Sequence, residues 1–157
     1  MNVIDVLAYG HADIERLIAR LRPRDWEAVA LGVWTTKDLV GHLGAFEVRF
    51  ADVLASFLEE PLASDLMQAD PATFNDDQAA VRRDWSVDAV VAELTDANRR
   101  VMDRARRLPK ETWAAVGTIP WYGPKYALED LAVYSMYGHK REHGPQIDAV
   151  VGRADAE

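Results

Sequence analysis

The sequence predicts an all-α protein, a single four-helix bundle. Three observations carry that expectation. Apolar residues recur with helical period through most of the chain, no segment alternates as a strand does, and helix start and stop signals divide the chain into four long segments.

The first segment has Ile4, Leu7, His11, Ile14, Ile18 and Leu21 at alternating three- and four-residue spacing, which marks one helix face. Arg22-Pro23-Arg24 ends it, and a connector from Pro23 to Trp34 follows. The second helix opens at Thr35-Thr36-Lys37-Asp38, a hydroxyl-x-x-acid capping box ahead of an apolar run. Its stripe is Leu39, His42 with Leu43, Phe46, Phe50, Val53 and Phe57, and it is expected to end near Glu60-Pro61.

Residues 61–85 are the least regular, broken by Pro61, Ser64, Pro71 and Asn75, with room for a short helix over 76–83. Ser86 is an N-cap for the third long helix, with Asp88 in its first turn. Val87, Val90, Leu94, Ala97, Val101 and Leu108 form its inward side, and Pro109 stops it. Gly117, Pro120, Gly123 and Pro124 make 112–125 read as loop. A fourth helix is expected from about Tyr126 to His143, ended or kinked by Gly144-Pro145.

With 157 residues and 49% hydrophobic content, one domain over residues 1–150 is expected, with 151–157 a disordered tail. Cysteine is absent, which excludes disulfides, thiolate ligands and a cysteine nucleophile. The opening residues carry acid where a signal peptide carries base, and no apolar run approaches spanning length, so the expectation is a cytoplasmic protein without membrane contact. The formal charge of −8 works against nucleic acid as a partner. The arginines from Arg99 to Arg107 are the one basic stretch. Asp96 and Asp103 stand four residues before Arg100 and Arg107, as on a solvated face laced with ion pairs.

Three of the four histidines fall on two helix faces. His139 and His143 are one turn apart, so two imidazoles project over the same patch and can converge on one ion. His42 lies on the apolar stripe of the second helix, where a lone imidazole needs a buried partner. If the second and fourth helices run antiparallel, all three rings reach similar height, whereas a parallel pair separates them by roughly 10–15 Å. Three neutral imidazoles leave a divalent ion with open positions for water or substrate. Asp38 and Glu47 are the nearby carboxylates, and neither is compelled as a fourth ligand.

His139-Lys140-Arg141-Glu142-His143 also matches the H-x-x-E-H pattern of inverted zinc peptidases. Those enzymes take a further acidic ligand well downstream, and only 14 residues follow His143.

The segment from Trp34 to Leu43 resembles the W-[ST]-x-[KR]-[DE]-x-x-x-H-L motif of the DinB/YfiT-like superfamily. Tyr137 to Ile147 resembles its C-terminal H-x-x-x-H-x-x-Q-I motif, so the likeness spans nearly the whole chain. The resemblance implies an up-down-down-up bundle with antiparallel second and fourth helices, and a metal triad of His42, His139 and His143. It further implies nickel or zinc, a homodimer, and a small-molecule substrate. The chemistry implied is thiol S-transfer with a low-molecular-weight thiol such as mycothiol or bacillithiol, maleylpyruvate isomerisation, or related hydrolase chemistry. Tyr134 to Lys140 also has some similarity to the colibactin self-protection branch, which makes a non-catalytic small-molecule binding or self-protection protein the alternative.

Among the remaining residues, His11 is a core histidine or a pocket-lining one. Trp121-Tyr122, just ahead of the fourth helix, is expected at a ligand mouth, since loops concentrate binding residues. The other tryptophans sit near helix ends and anchor loops to the core. Glu47, about 500° around the helix from His42, points away from it, and Glu142 is a solvated glutamate or a base.

Overall fold

The capping signals set the frame. In a computed structural model describing residues 2–155, α1 (Val3–Ile18) starts from Asn2, whose side chain accepts from the Ile4 amide at 3.0 Å. A 3-10 turn (Pro23–Glu27) and a hairpin of β1 (Val29–Leu31) and β2 (Trp34–Thr35) lead into α2 (Thr36–Phe57). Thr35 and Asp38 form the expected box: Asp38 accepts from the Thr35 amide at 2.9 Å, and Thr35 Oγ1 accepts from the Asp38 amide at 3.2 Å. α3 (Phe74–Arg82) and α4 (Val87–Arg107) follow, the latter capped by Ser86. Then come the short α5 (Lys110–Ala114) and α6 (Leu128–Asp130), a π-helical stretch (Leu131–Tyr137), and α7 (Gly138–Asp155).

The hairpin was not expected, because strands of three and two residues are too short for an alternating pattern to register. Gly32, at φ 57°, supplies its turn. The irregular segment after α2 is held by Asp52, which is fully buried and accepts from the Ala63 and Ser64 amides and from Ser64 Oγ. Lys37 Nζ donates to the Arg83 and Trp85 carbonyls, fixing the end of α3 against α2.

Of the two outcomes expected at Gly144-Pro145, an end or a kink, the last helix does not take the first. It runs on past His143 and through Pro145 to Asp155. Pro145 and Arg141 are both exposed, so the carbonyl that loses its helical donor at Arg141 faces water. Residues 151–155 are therefore helical, with Val151 buried, rather than a disordered tail; Ala156 and Glu157 lie outside the described residues. On α4, Asp103 pairs with Arg107 at 3.2 Å as expected, but Asp96 pairs with Arg99 at 2.7 Å, one residue short of Arg100. Spacings of three and four are both neighbours on a helix, and sequence alone does not choose between them.

A small cluster of Ala45, Val48, Leu66, Phe74 and Ala97 packs α3 and the preceding turn on α2 and α4, and two larger clusters occupy the two ends of the helices. One cluster joins Leu7 of α1, Phe50 and Leu54 of α2, Val101 and Met102 of α4, and Leu131 and Met136 of the π stretch. The other joins Ile14, Leu39 and Leu43, Val90 and Leu94, and Ile147. Each fully buried leucine contributes about 1.5–3 kcal/mol relative to leaving it in water. Among the described residues no helix is long and apolar enough to cross a membrane.

Candidate metal centre

His42 sits on the second turn of α2, its ring held between Trp34 of β2 and Phe46, one turn on, with centroids at 4.9 Å from each. The hairpin that the sequence does not announce is thus what covers one side of the ring. His139 and His143 open α7. They follow the π-helical stretch, whose wider turn sets back the rotation of every residue after it relative to α6. Within that stretch Met136 is buried in the core, while Tyr134 and Ser135 turn toward the cleft.

The three histidines meet. One ligand atom from each of His42, His139 and His143 lies within 4.8 Å of the others. His42 Nε2 and His139 Nε2 are 2.7 Å apart, so in the free protein one of them carries the proton of an N–H···N hydrogen bond and the other accepts it. The ring centroids are 4.6 Å apart for His139 with both neighbours and 5.1 Å for His42 with His143. Burial pushes the His42 imidazole down to about 4, helped by the nearby His143. His139 is pushed down to about 3, again by burial first and then by His42, His143 and Lys140. Both rings are therefore neutral near pH 7, the form in which imidazole donates a lone pair to a metal.

His143 Nδ1 lies 2.7 Å from Gln146 Oε1, one turn along α7. An amide oxygen accepts, so this contact places the proton on Nδ1 and leaves Nε2 free to face its neighbours. The motif Tyr137 to Ile147 contains Gln146, but only the folded geometry gives it this task.

The donor set suits a divalent metal ion. Bonds of ~2.0–2.1 Å to imidazole nitrogen put donor atoms on one ion roughly 3 Å apart. The 2.7 Å between His42 Nε2 and His139 Nε2 is close to that value, and the third donor atom lies within 4.8 Å of both. Among the described residues no fourth ligand joins the three histidines: Asp38 is engaged in the helix cap and Glu47 is tied to Lys140. The rings lie in a cleft of about 620 Å³ bordered by Leu31, Trp34, Phe46, Tyr134, Ser135 and Glu142. Glu142 is exposed at its rim.

The other sequence candidates fall elsewhere. His11 is buried on α1, its Nε2 3.3 Å from Glu15 Oε1, and does not border the cleft. Its pKa is lowered by burial and by the Lys140 ammonium. Trp121 and Tyr122 line a separate, apolar pocket that shares Phe46 and Ser135 with the histidine cleft.

What positions α7 against α2 is a pair that spacing arguments overlooked. Lys140, between the two histidines, donates to Glu47 at 2.7 Å, and Asn98 Nδ2 of α4 donates to the other carboxylate oxygen at 2.7 Å. Glu47 does point away from His42, but into the core rather than to water.

With the site in view, the comparisons with known proteins are brief. The family described as the mycothiol maleylpyruvate isomerase N-terminal domain matches residues 7–134. That span contains His42 and ends ahead of His139 and His143. No curated protein and no solved structure matches the chain.

Proposed function

We propose, from the premise that this chain belongs to the mycothiol maleylpyruvate isomerase N-terminal domain family of the DinB/YfiT-like superfamily, that it is a metal-dependent enzyme acting on a small molecule. The observation that carries this reading is the convergence of three imidazoles, two of them held neutral by burial, at the base of an open cleft.

In this reading His42, His139 and His143 hold a divalent ion, nickel or zinc. The bound ion supplies a Lewis acid with open positions, lowering the pKa of a water or thiol that it takes. Gln146 keeps the His143 lone pair aimed inward. Trp34 and Phe46 keep water from two sides of the His42 ring, and Glu142 stands exposed at the rim. The family's name supports a low-molecular-weight thiol as co-substrate, with S-transfer or isomerisation as the reaction.

The up-down-down-up arrangement belongs to the same proposal. Leu7, early in α1, shares a cluster with Leu131 and Met136, while Ile14, late in α1, shares another with Ile147, as for a parallel pair. Leu39 and Leu43 meet Ile147 whereas Phe50 meets Leu131, as for an antiparallel α2 and α7. A homodimer in the cytoplasm completes the reading.

Elemental analysis of untagged protein, beside a His42→Ala variant, tests it. Near-stoichiometric metal lost in the variant is the expected result and opens a screen of thiol co-substrates. Metal-free protein after reconstitution with zinc, nickel or manganese overturns it and leaves a small-molecule binding bundle.

A further inference from the structure

Arg49 stands two turns after His42 on α2, on the same side of the helix. Its guanidinium faces the apolar pocket beside the histidine cleft, a cavity of about 180 Å³ lined also by Phe50, Val53, Trp121, Tyr122 and Met136. The cation lies 5.3 Å from the Phe74 ring and 5.4 Å from the Trp121 ring. Its Nε is buried and has no hydrogen-bond partner. Among the described residues no carboxylate pairs with it, although the chain carries 26 acids. Arg82 is bidentate to Glu93 and Arg104 is bonded to Glu60; Arg100 on α4 shares a buried, unpartnered Nε but borders neither this pocket nor the histidine cleft.

A guanidinium does not shed its proton in a protein, so Arg49 keeps a charge that is partly stripped of water and left without an anion. Burial alone lowers its pKa, with no acid nearby to oppose that shift. The two aromatic faces offset part of the cost, but they leave the N–H fork unused. With a net charge of −8, the protein as a whole does not draw anions, so selection for one must be local to this pocket.

We propose that Arg49 is the anchor for an acid group of the substrate: the pocket takes a small organic carboxylate, its fork gripping the carboxylate while the carbon skeleton lies along Phe46 toward the histidines. This assignment rests on the proposed metal site for its second end, since Phe46 and Ser135 border both cavities. Seven residues of helix separate Arg49 from His42 by roughly 10 Å. That sets the scale of the distance between the anchored acid and the reacting end, and it favours short-chain acids over long fatty ones. Trp121, half-exposed over the guanidinium, forms the outer wall.

The test uses hexanoate and hexanamide, a pair matched in shape and differing in charge, titrated at millimolar concentration while the NMR shifts of the Trp121 indole and of Arg49 are followed. Wild-type protein is expected to prefer the acid by roughly 10- to 100-fold. R49M, which keeps the length of the side chain, loses that preference while keeping its helical circular dichroism and its metal content. R49K, with a charge but no fork, falls between. His42→Ala retains the preference even if it has lost metal, which separates failure of the anchor from failure of the metal site. Equal binding of acid and amide, acid binding undiminished in R49M, or no binding of either probe overturns the proposal.

Discussion

Lys140 Nζ donates to Glu47 Oε2 at 2.7 Å, and both side chains are almost wholly out of solvent, at 3% and 0% exposure. The pair joins α7 to α2 between the two C-terminal histidines and five residues beyond His42. Asn98 fills the remaining carboxylate oxygen from α4, so three helices meet at one acid. Removing the cation alone strands a buried carboxylate, which costs about 3–5 kcal/mol. Lys140→Met should therefore lower the unfolding free energy by that order, and E47Q/K140M should recover much of it. Urea titration of the two variants checks this. A small loss in the single variant, equal to that in the double, would show that water reaches Glu47.

Gln146 acts on the site through His143 and touches no other histidine. Gln146→Leu frees the ring to adopt either tautomer, and metal affinity should fall roughly 10- to 100-fold while the helical fold is kept. Competition with a metal-sensitive dye reads the affinity. Gln146→Glu should retain binding, since a carboxylate also accepts from Nδ1–H. Unchanged affinity in the leucine variant would mean that packing alone orients the ring.

Metal should also stabilise the fold, because α2 and α7 supply its ligands only when they are packed together. At an ion concentration 100 times the dissociation constant, the gain is about 2.7 kcal/mol. For a chain of this size that corresponds to roughly 5–10 °C in melting temperature. Differential scanning fluorimetry with and without zinc measures the shift, and it should vanish in a His139→Ala variant.

How much of this was legible in the sequence depends on the distance over which each feature acts. The cap at Thr35 and Asp38 and the Ser86 start are local chemistry, and both stand where the sequence puts them. The triad was legible for a related reason: imidazoles on the inner side of two helices are conspicuous when a chain has only four histidines. The π-helical stretch was not, because Leu131–Tyr137 is as apolar as an ordinary α-helix and only its tertiary packing selects the wider turn. Sequence leaves open whether Gly144-Pro145 ends the helix or only interrupts it, because the outcome depends on whether the Arg141 carbonyl faces water, which is a tertiary fact. Lys140 sits in His139-Lys140-Arg141-Glu142-His143, where neighbouring charges suggest a solvated face. Its partner lies 93 residues away, beyond the reach of any spacing rule.

Acid should weaken the metal-free protein through the same histidines. An unfolded histidine takes its proton near 6.5, whereas His42 in the fold does so at about 4 and His139 at about 3. The unfolded chain therefore binds more protons than the fold throughout that interval, and unfolding free energy rises with pH across it. The contribution is fully present above about pH 6.5 and is lost progressively as pH falls toward the folded values. In the presence of a chelator, the urea midpoint should drop steadily from about pH 7 to about pH 5. A His42→Asn variant should show a shallower slope, because one of the depressed groups is gone. A wild-type midpoint that stays flat over this range would mean that the rings ionise freely in the fold, and the buried, neutral triad on which metal binding depends would have to be abandoned.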